Sequence, residues 1–160
     1  MASGVFNVAK GRHVQLGINV DTATPSTARL VAILLVFDAS FPSDATIEDV
    51  DTVAALIALA NVAEATFTNY ARQELGAAAV AIILDDTANE HQVDIDDLLY
   101  SSAGGAANNT LQKLIIAYDN VTGSGDDTDL IPLSHHDVST TTDGNNLTLT
   151  VPSDGISAGT

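Results

Sequence analysis

The sequence predicts a β-rich α+β domain, mainly an antiparallel sheet or sandwich with one or two helices packed on it. Three observations lead there. Apolar residues alternate with period two or run continuously through segments such as 28–37, 79–84 and 111–118, which is strand patterning. Only one segment, 46–60, combines a cap signal with helical spacing. The chain has 160 residues, 46% of them apolar, enough for a single core without a disulfide or metal staple. Residues 1–151 are therefore read as one structural domain and 152–160 as an arm or tail.

In chain order, Val14, Leu16, Ile18 and Val20 alternate and favour a strand, although Val8, Gly11, Gln15 and Ile18 can also be phased on a helix. Residues 21–26, with Pro25, form a turn. Segment 28–37 is apolar on both faces and is expected at the centre of the sheet. Thr46 with Asp49 resembles a capping box, and Val50, Val53, Ala54, Ile57 and Ala60 follow at helical spacing, predicting a helix over 46–60. Segments 67–75 and 79–84, separated by Gly76, suggest a hairpin. Residues 85–90 turn the chain, and Val93 and Ile95 then alternate with Asp94 and Asp96. Residues 101–109 form a polar loop, 111–118 a strand and 119–129 a Gly/Ser/Asp loop. Pro132 makes 130–133 an edge segment. Thr-rich strands 138–142 and 147–151 flank Asp143-Gly144-Asn145-Asn146, which has hairpin-turn chemistry.

Composition narrows the function. The chain carries 21 acidic and five basic residues, a net charge of −16, so its surface repels phosphate backbones. No basic cluster exists that could release counterions, and nucleic-acid binding is not expected. Absence of cysteine removes thiolate catalysis and thiolate metal sites. The longest apolar run, 30–37, spans eight residues, against the roughly 20 of a membrane-spanning helix. Residues 1–8 lack a basic region followed by an apolar core, so no signal peptide and no membrane partner are expected.

The motif search assigns no catalytic, cofactor or metal residue. Ser134-His135-His136-Asp137 has the residue types of a triad, yet adjacent side chains on an extended segment point to opposite faces and cannot line up in series. His135 and Asp137 share a strand face, but His13 and His91 lie far from them in sequence. Asp94, Asp96 and Asp97, or Asp126, Asp127 and Asp129, offer hard oxygen ligands for Ca²⁺ without the glycine and terminal glutamate of an EF-hand loop. Four Phe, three Tyr and no Trp make an aromatic sugar-binding cleft hard to build. Gly104-Gly105 and Gly123-Ser124-Gly125 lack the spacing and lysine of phosphate cradles.

Several short stretches carry a resemblance: Phe6-Asn7-Val8-Ala9 with Gly11-Arg12, Ser43-Asp44-Ala45-Thr46, Asn69-Tyr70-Ala71-Arg72, Asp85-Asp86, Pro132-Leu133-Ser134-His135-His136-Asp137 and Thr142-Asp143-Gly144. In this order, over most of the chain, they resemble small proteins encoded among the head genes of tailed bacteriophages, described as minor capsid or head decoration proteins. The chain departs from that pattern at Val138, where an aromatic is expected, and over 155–158, where the family ending contains Phe. The resemblance implies a structural virion protein, not an enzyme, on the outer surface of the head. Its partners would be the major capsid protein and further copies of itself in a symmetric lattice. A neck or tail subunit is a structural alternative; a Ca²⁺- or carbohydrate-binding module is the alternative from another class. Residues 5–9 and 138–151 are the candidate contact elements, with the alternative that both complete the domain's own sheet. Deleting 1–9 or 152–160 is expected to weaken incorporation while leaving the domain folded.

Overall fold

A computed structural model describes residues 3–87, 90–120, 126–151 and 157–159. In order they form β1 (Ser3–Val5), α1 (His13–Asp21), β2 (Arg29–Val36), α2 (Asp44–Glu48), α3 (Val53–Ile57), β3 (Gln73–Leu75), β4 (Val80–Asp85), β5 (Glu90–Ile95), β6 (Leu98–Tyr100), β7 (Thr110–Asp119), β8 (Ile131–Thr141), β9 (Leu147–Leu149) and β10 (Ser157–Gly159). The main sheet has the order β1-β8-β7-β2-β3, a second sheet β10-β5-β4, and β6 pairs with β9. Every one of these pairings is antiparallel, as the fold class requires.

The apolar run 30–36 becomes β2 because both faces of the main sheet are covered, and its residues from Leu30 to Leu35 are buried. β2 lies inside the sheet, between β7 and β3, rather than at its middle. Directly opposed residues share a face, so Ile33, Ile115 and His135 stand on one side and Ala32, Ile116 and Ser134 on the other. The first side receives α2, through Glu48 and Asp44. The second receives α1, whose Asn19 Nδ2 donates to the Tyr118 hydroxyl at 3.4 Å. The second sheet packs on α1.

Several local expectations change. Residues 13–21 form a helix rather than a strand, but the buried stripe is His13, Gly17 and Val20, not the Val8, Gly11, Gln15 and Ile18 phasing, in which Gly11 and Gln15 are exposed. Gly17 lets β5 close in: a Cβ there would stand 2.6 Å from Val93 Cγ2. The helix expected over 46–60 is two short helices. Ser43, not Thr46, caps α2, accepting from Thr46 N, and Thr52 caps α3, accepting from Ala55 N at 3.1 Å. Between them Asn7 intervenes: its backbone N–H donates to Glu48 O at 2.8 Å and its side chain to Asp49 Oδ1 at 2.5 Å.

No hairpin joins β3 to β4, because β3 pairs with β2 and β4 with β5. Segment 130–133 is not a separate edge strand: it opens β8, and β1 pairs with Ser134–His136, beyond Pro132. β8 runs between β1 and β7, and Pro132 fits because the register shifts where it meets Ala117. The last hairpin is also absent: β9 pairs with β6. The 143–146 turn instead hooks onto the 101–109 loop, with Gly144 N donating to Ala103 O and Ala103 N to Asn145 O, both at 2.8 Å. Gly105 and Gly144 both have positive φ where these loops touch, and a Cβ on Gly144 would lie 3.3 Å from Gly105 Cα.

These pairings also correct the candidate contact elements. Residues 5–9 complete the domain itself: Val5 pairs with Ser134, and Phe6 and Ala9 are fully buried. Segment 138–151 is divided between the main sheet and the β6–β9 pair. Within 152–160, Ser157–Gly159 pairs with β5; the other residues of that expected tail lie outside the described residues.

Candidate functional site

The residues that looked most like chemistry in the sequence sit on β8, and the sheet sorts them by face. Ser134 and His136 lie on the α1 side, with Ser134 Oγ 3.1 Å from His136 Nε2. His135 and Asp137 lie on the α2 side. Relative exposure is 0% for Ser134, 1% for His135 and 7% for His136. Strand alternation thus breaks the apparent triad as expected, and it leaves a buried Ser–His pair that the sequence reading did not single out. The signal for it was the i,i+2 spacing on one strand face.

On the α2 side a lysine organises the polar groups. Lys113, buried on β7, is directly opposite Asp137. Its ammonium has three donors and meets three acceptors: Asp137 Oδ1 at 2.5 Å, Asp44 Oδ1 at 2.8 Å and His135 Nδ1 at 3.5 Å. Because a lysine only donates, the neutral His135 ring carries its proton on Nε2 and donates to Glu48 Oε1, 3.1 Å away. Burial pulls the Lys113 ammonium down, but the hydrogen bonds it donates to Asp137 and Asp44 outweigh it and hold its pKa above the ordinary lysine value. The same Lys113 hydrogen bond keeps the Asp44 carboxyl below its usual range. A lysine held charged in this way is a poor nucleophile and a good tie between α2 and the sheet.

The Ser134–His136 pair differs in character. Desolvation, helped by the nearby Lys113 charge, pushes His136 down to about 4 against a weaker opposing pull from Asp137. The imidazole is therefore neutral at neutral pH, which suits a general base. Yet Ser134 is fully buried and its strand is covered on both faces, so no acyl group reaches Oγ in this conformation.

A third polar group ties the far side together. Arg72 reaches Glu64 Oε2 at 2.7 Å and Asp127 Oδ1 at 2.5 Å. The Glu64 hydrogen bond is the main reason that the Arg72 guanidinium is held above its usual range, against burial. Tyr70 donates to Glu64 at 2.8 Å and accepts from Leu34 N at 3.1 Å. Phe67, Tyr70 and Tyr100 pack beside this group, with centroids 5.1 to 6.2 Å apart.

The remaining sequence candidates are spread out. His13 begins α1, His91 lies on β5 and His135 on β8. Asp127 is taken by Arg72, and Asp97 accepts from Val151 N at 2.9 Å. Among the described residues no group of three or more His, Asp or Glu side chains converges on a metal position. Among the described residues, ion pairs engage four of the five basic residues: Lys10 with Glu48, Arg29 with Glu74, Arg72 and Lys113. The cations thus serve the fold, and the outward field is set by carboxylates.

The surface offers apolar side chains at separate places: Phe37 is 58% exposed, Leu84 64% and Leu99 52%. Phe37 borders a depression of about 410 Å³ that Thr110, Leu111, Gln112, Asp137, Val138 and Ser139 also line. Among the described residues no helix is long and apolar enough to cross a membrane. No protein-family model matches the chain, and no curated protein or solved structure matches it either.

Proposed function

We propose that the chain is a structural subunit of a tailed-phage head, a decoration or minor capsid protein that binds the outer surface of the shell and stabilises it. The observation that carries this reading is where the reactive side chains go. Ser134, His135, His136 and Lys113 are buried within the sheet and tie strands and α2 together, as a subunit selected for rigidity requires. The ordered series of stretches that resembles head decoration proteins supplies the viral context. A net charge of −16 suits an outer surface, away from packaged nucleic acid.

The exposed Phe37 and Leu99 are apolar anchors available to a partner. Docking through them does not depend on unscreened charge. Purified protein added to heads that lack it is therefore expected to bind and to stay bound at about 1 M NaCl, where the Debye length is about 3 Å. Sedimentation of heads with and without salt reads this directly. Failure to bind at low salt would remove the decoration reading, and complete release at high salt would replace apolar docking with electrostatic docking.

A further inference from the structure

We propose that β4 pairs with β4 of a second copy of this chain across a twofold axis, joining two three-stranded sheets into one of six strands. This surface is separate from the head-binding role and stands without it. β4 ends its sheet, and among the described residues no strand pairs with its other side. Its sequence, Val-Ala-Ile-Ile-Leu-Asp, has neither the lysine nor the proline that blunts an edge strand. Ile83 is 36% exposed and Leu84 64%, whereas Val80 is buried. By contrast, the edges of the main sheet, β1 and β3, are only three residues long.

How the strand reads against itself favours a second copy. In an antiparallel pair centred on Ile82, opposed residues share a face, so Val80 meets Leu84 and Ala81 meets Ile83. The exposed Ile83 then lies against the exposed, small Ala81, and Leu84 extends the apolar surface begun by the partner copy's Val80. Asp85, the strand's one charged residue, falls beyond this register, so the two aspartates stand at opposite ends of the seam. A basic extended peptide would find no carboxylate on β4 between Val80 and Leu84 to pair with. The contact is isologous and closes at two copies. A single strand seam is small beside standard interfaces, so the dimer is weak and forms at high protein concentration.

The test is sedimentation of the full chain over a concentration series at low and high salt. The expected result is a monomer–dimer equilibrium that tightens several-fold as salt screens the repulsion between two copies of charge −16. Leu84→Lys and Ile83→Lys, both at exposed positions with circular dichroism expected to match wild type, should each weaken it about tenfold or more. Leu99→Lys, also at an exposed position but on β6, should leave it unchanged. A monomer at every concentration in high salt would overturn the proposal. So would a dimer indifferent to both β4 lysines, one weakened as much by Leu99→Lys, or one that salt dissociates.

Discussion

Removing residues 1–9 is expected to abolish stable folding, and Phe6→Ala alone to lower stability by about 3–5 kcal/mol. The Phe6 ring is fully buried and meets His135 edge to face, with centroids 5.8 Å apart and planes at 88°. Its backbone N–H donates to Leu133 O at 3.0 Å, continuing the β1–β8 ladder. Asn7, next along, stops α2 through Glu48 and Asp49. Truncation therefore removes an edge strand, a core ring and a helix stop together. For a domain whose total stability is of the order of 5–15 kcal/mol, that is a large share. Urea unfolding checks it: Phe37→Ala, at an exposed ring, should stay within about 0.5 kcal/mol of wild type. A truncated chain that melts like the full chain would show that the N-terminus is a dispensable arm after all.

Acid is the second strong lever. The folded protein holds His136 at about 4, against an ordinary value of 6.5. Between these values the unfolded chain binds the proton and the folded chain does not, so stability rises with pH across the window. The contribution is fully present above about 6.5 and is lost as pH falls towards 4. A shift of this size corresponds to a loss on the order of 3 kcal/mol. The Asp44 carboxyl, held low by Lys113, adds its own loss only below the ordinary aspartate range. Urea midpoints followed from neutral pH down to about 4 should therefore fall steeply in the wild type. In His136→Asn, which keeps a polar group beside Ser134 but cannot take the proton, the fall over the same window should be much shallower. Equal slopes in the two proteins would show that the buried imidazole is not the titrating group.

The long strands were legible because their signals are local. Residues 30–36 are apolar without a break, and no soluble helix of that composition would hide every face, so β2 could be read directly; β7 follows the same logic. Helix α1 was ambiguous because Val14, Leu16, Ile18 and Val20 alternate while His13, Gly17 and Val20 define the buried stripe. Gly17 is informative only once Val93 is known to press against it, which is a tertiary fact. The missed pairings share one cause. β3 turns back to β2 across two helices and β9 to the distant β6, which leaves β4 to pair with the following β5, and turn chemistry at Gly76 or Asp143-Gly144 does not report on distant partners.

The polar clusters were partly legible. Alternation on β8 separated Ser134 and His136 from His135 and Asp137, as strand geometry dictates. Lys113 opposite Asp137 was not legible, because the register of β7 on β8 shifts between Leu111 and Lys113 and no pattern in either strand encodes that bulge. Asp44 and Glu48 reach the same cluster from a helix whose start and end depend on Ser43 and on the distant Asn7.

The most direct measurement of the central claim is a cryo-electron-microscopy map of the native phage particle, detailed enough to trace strands. The account predicts density for the five-stranded sheet with α1 and the β4–β5 hairpin beside it, repeated at symmetric positions on the outer face of the head. Density for this fold on the inner wall against the packaged genome would contradict both the charge argument and the decoration role, as would its absence from the particle.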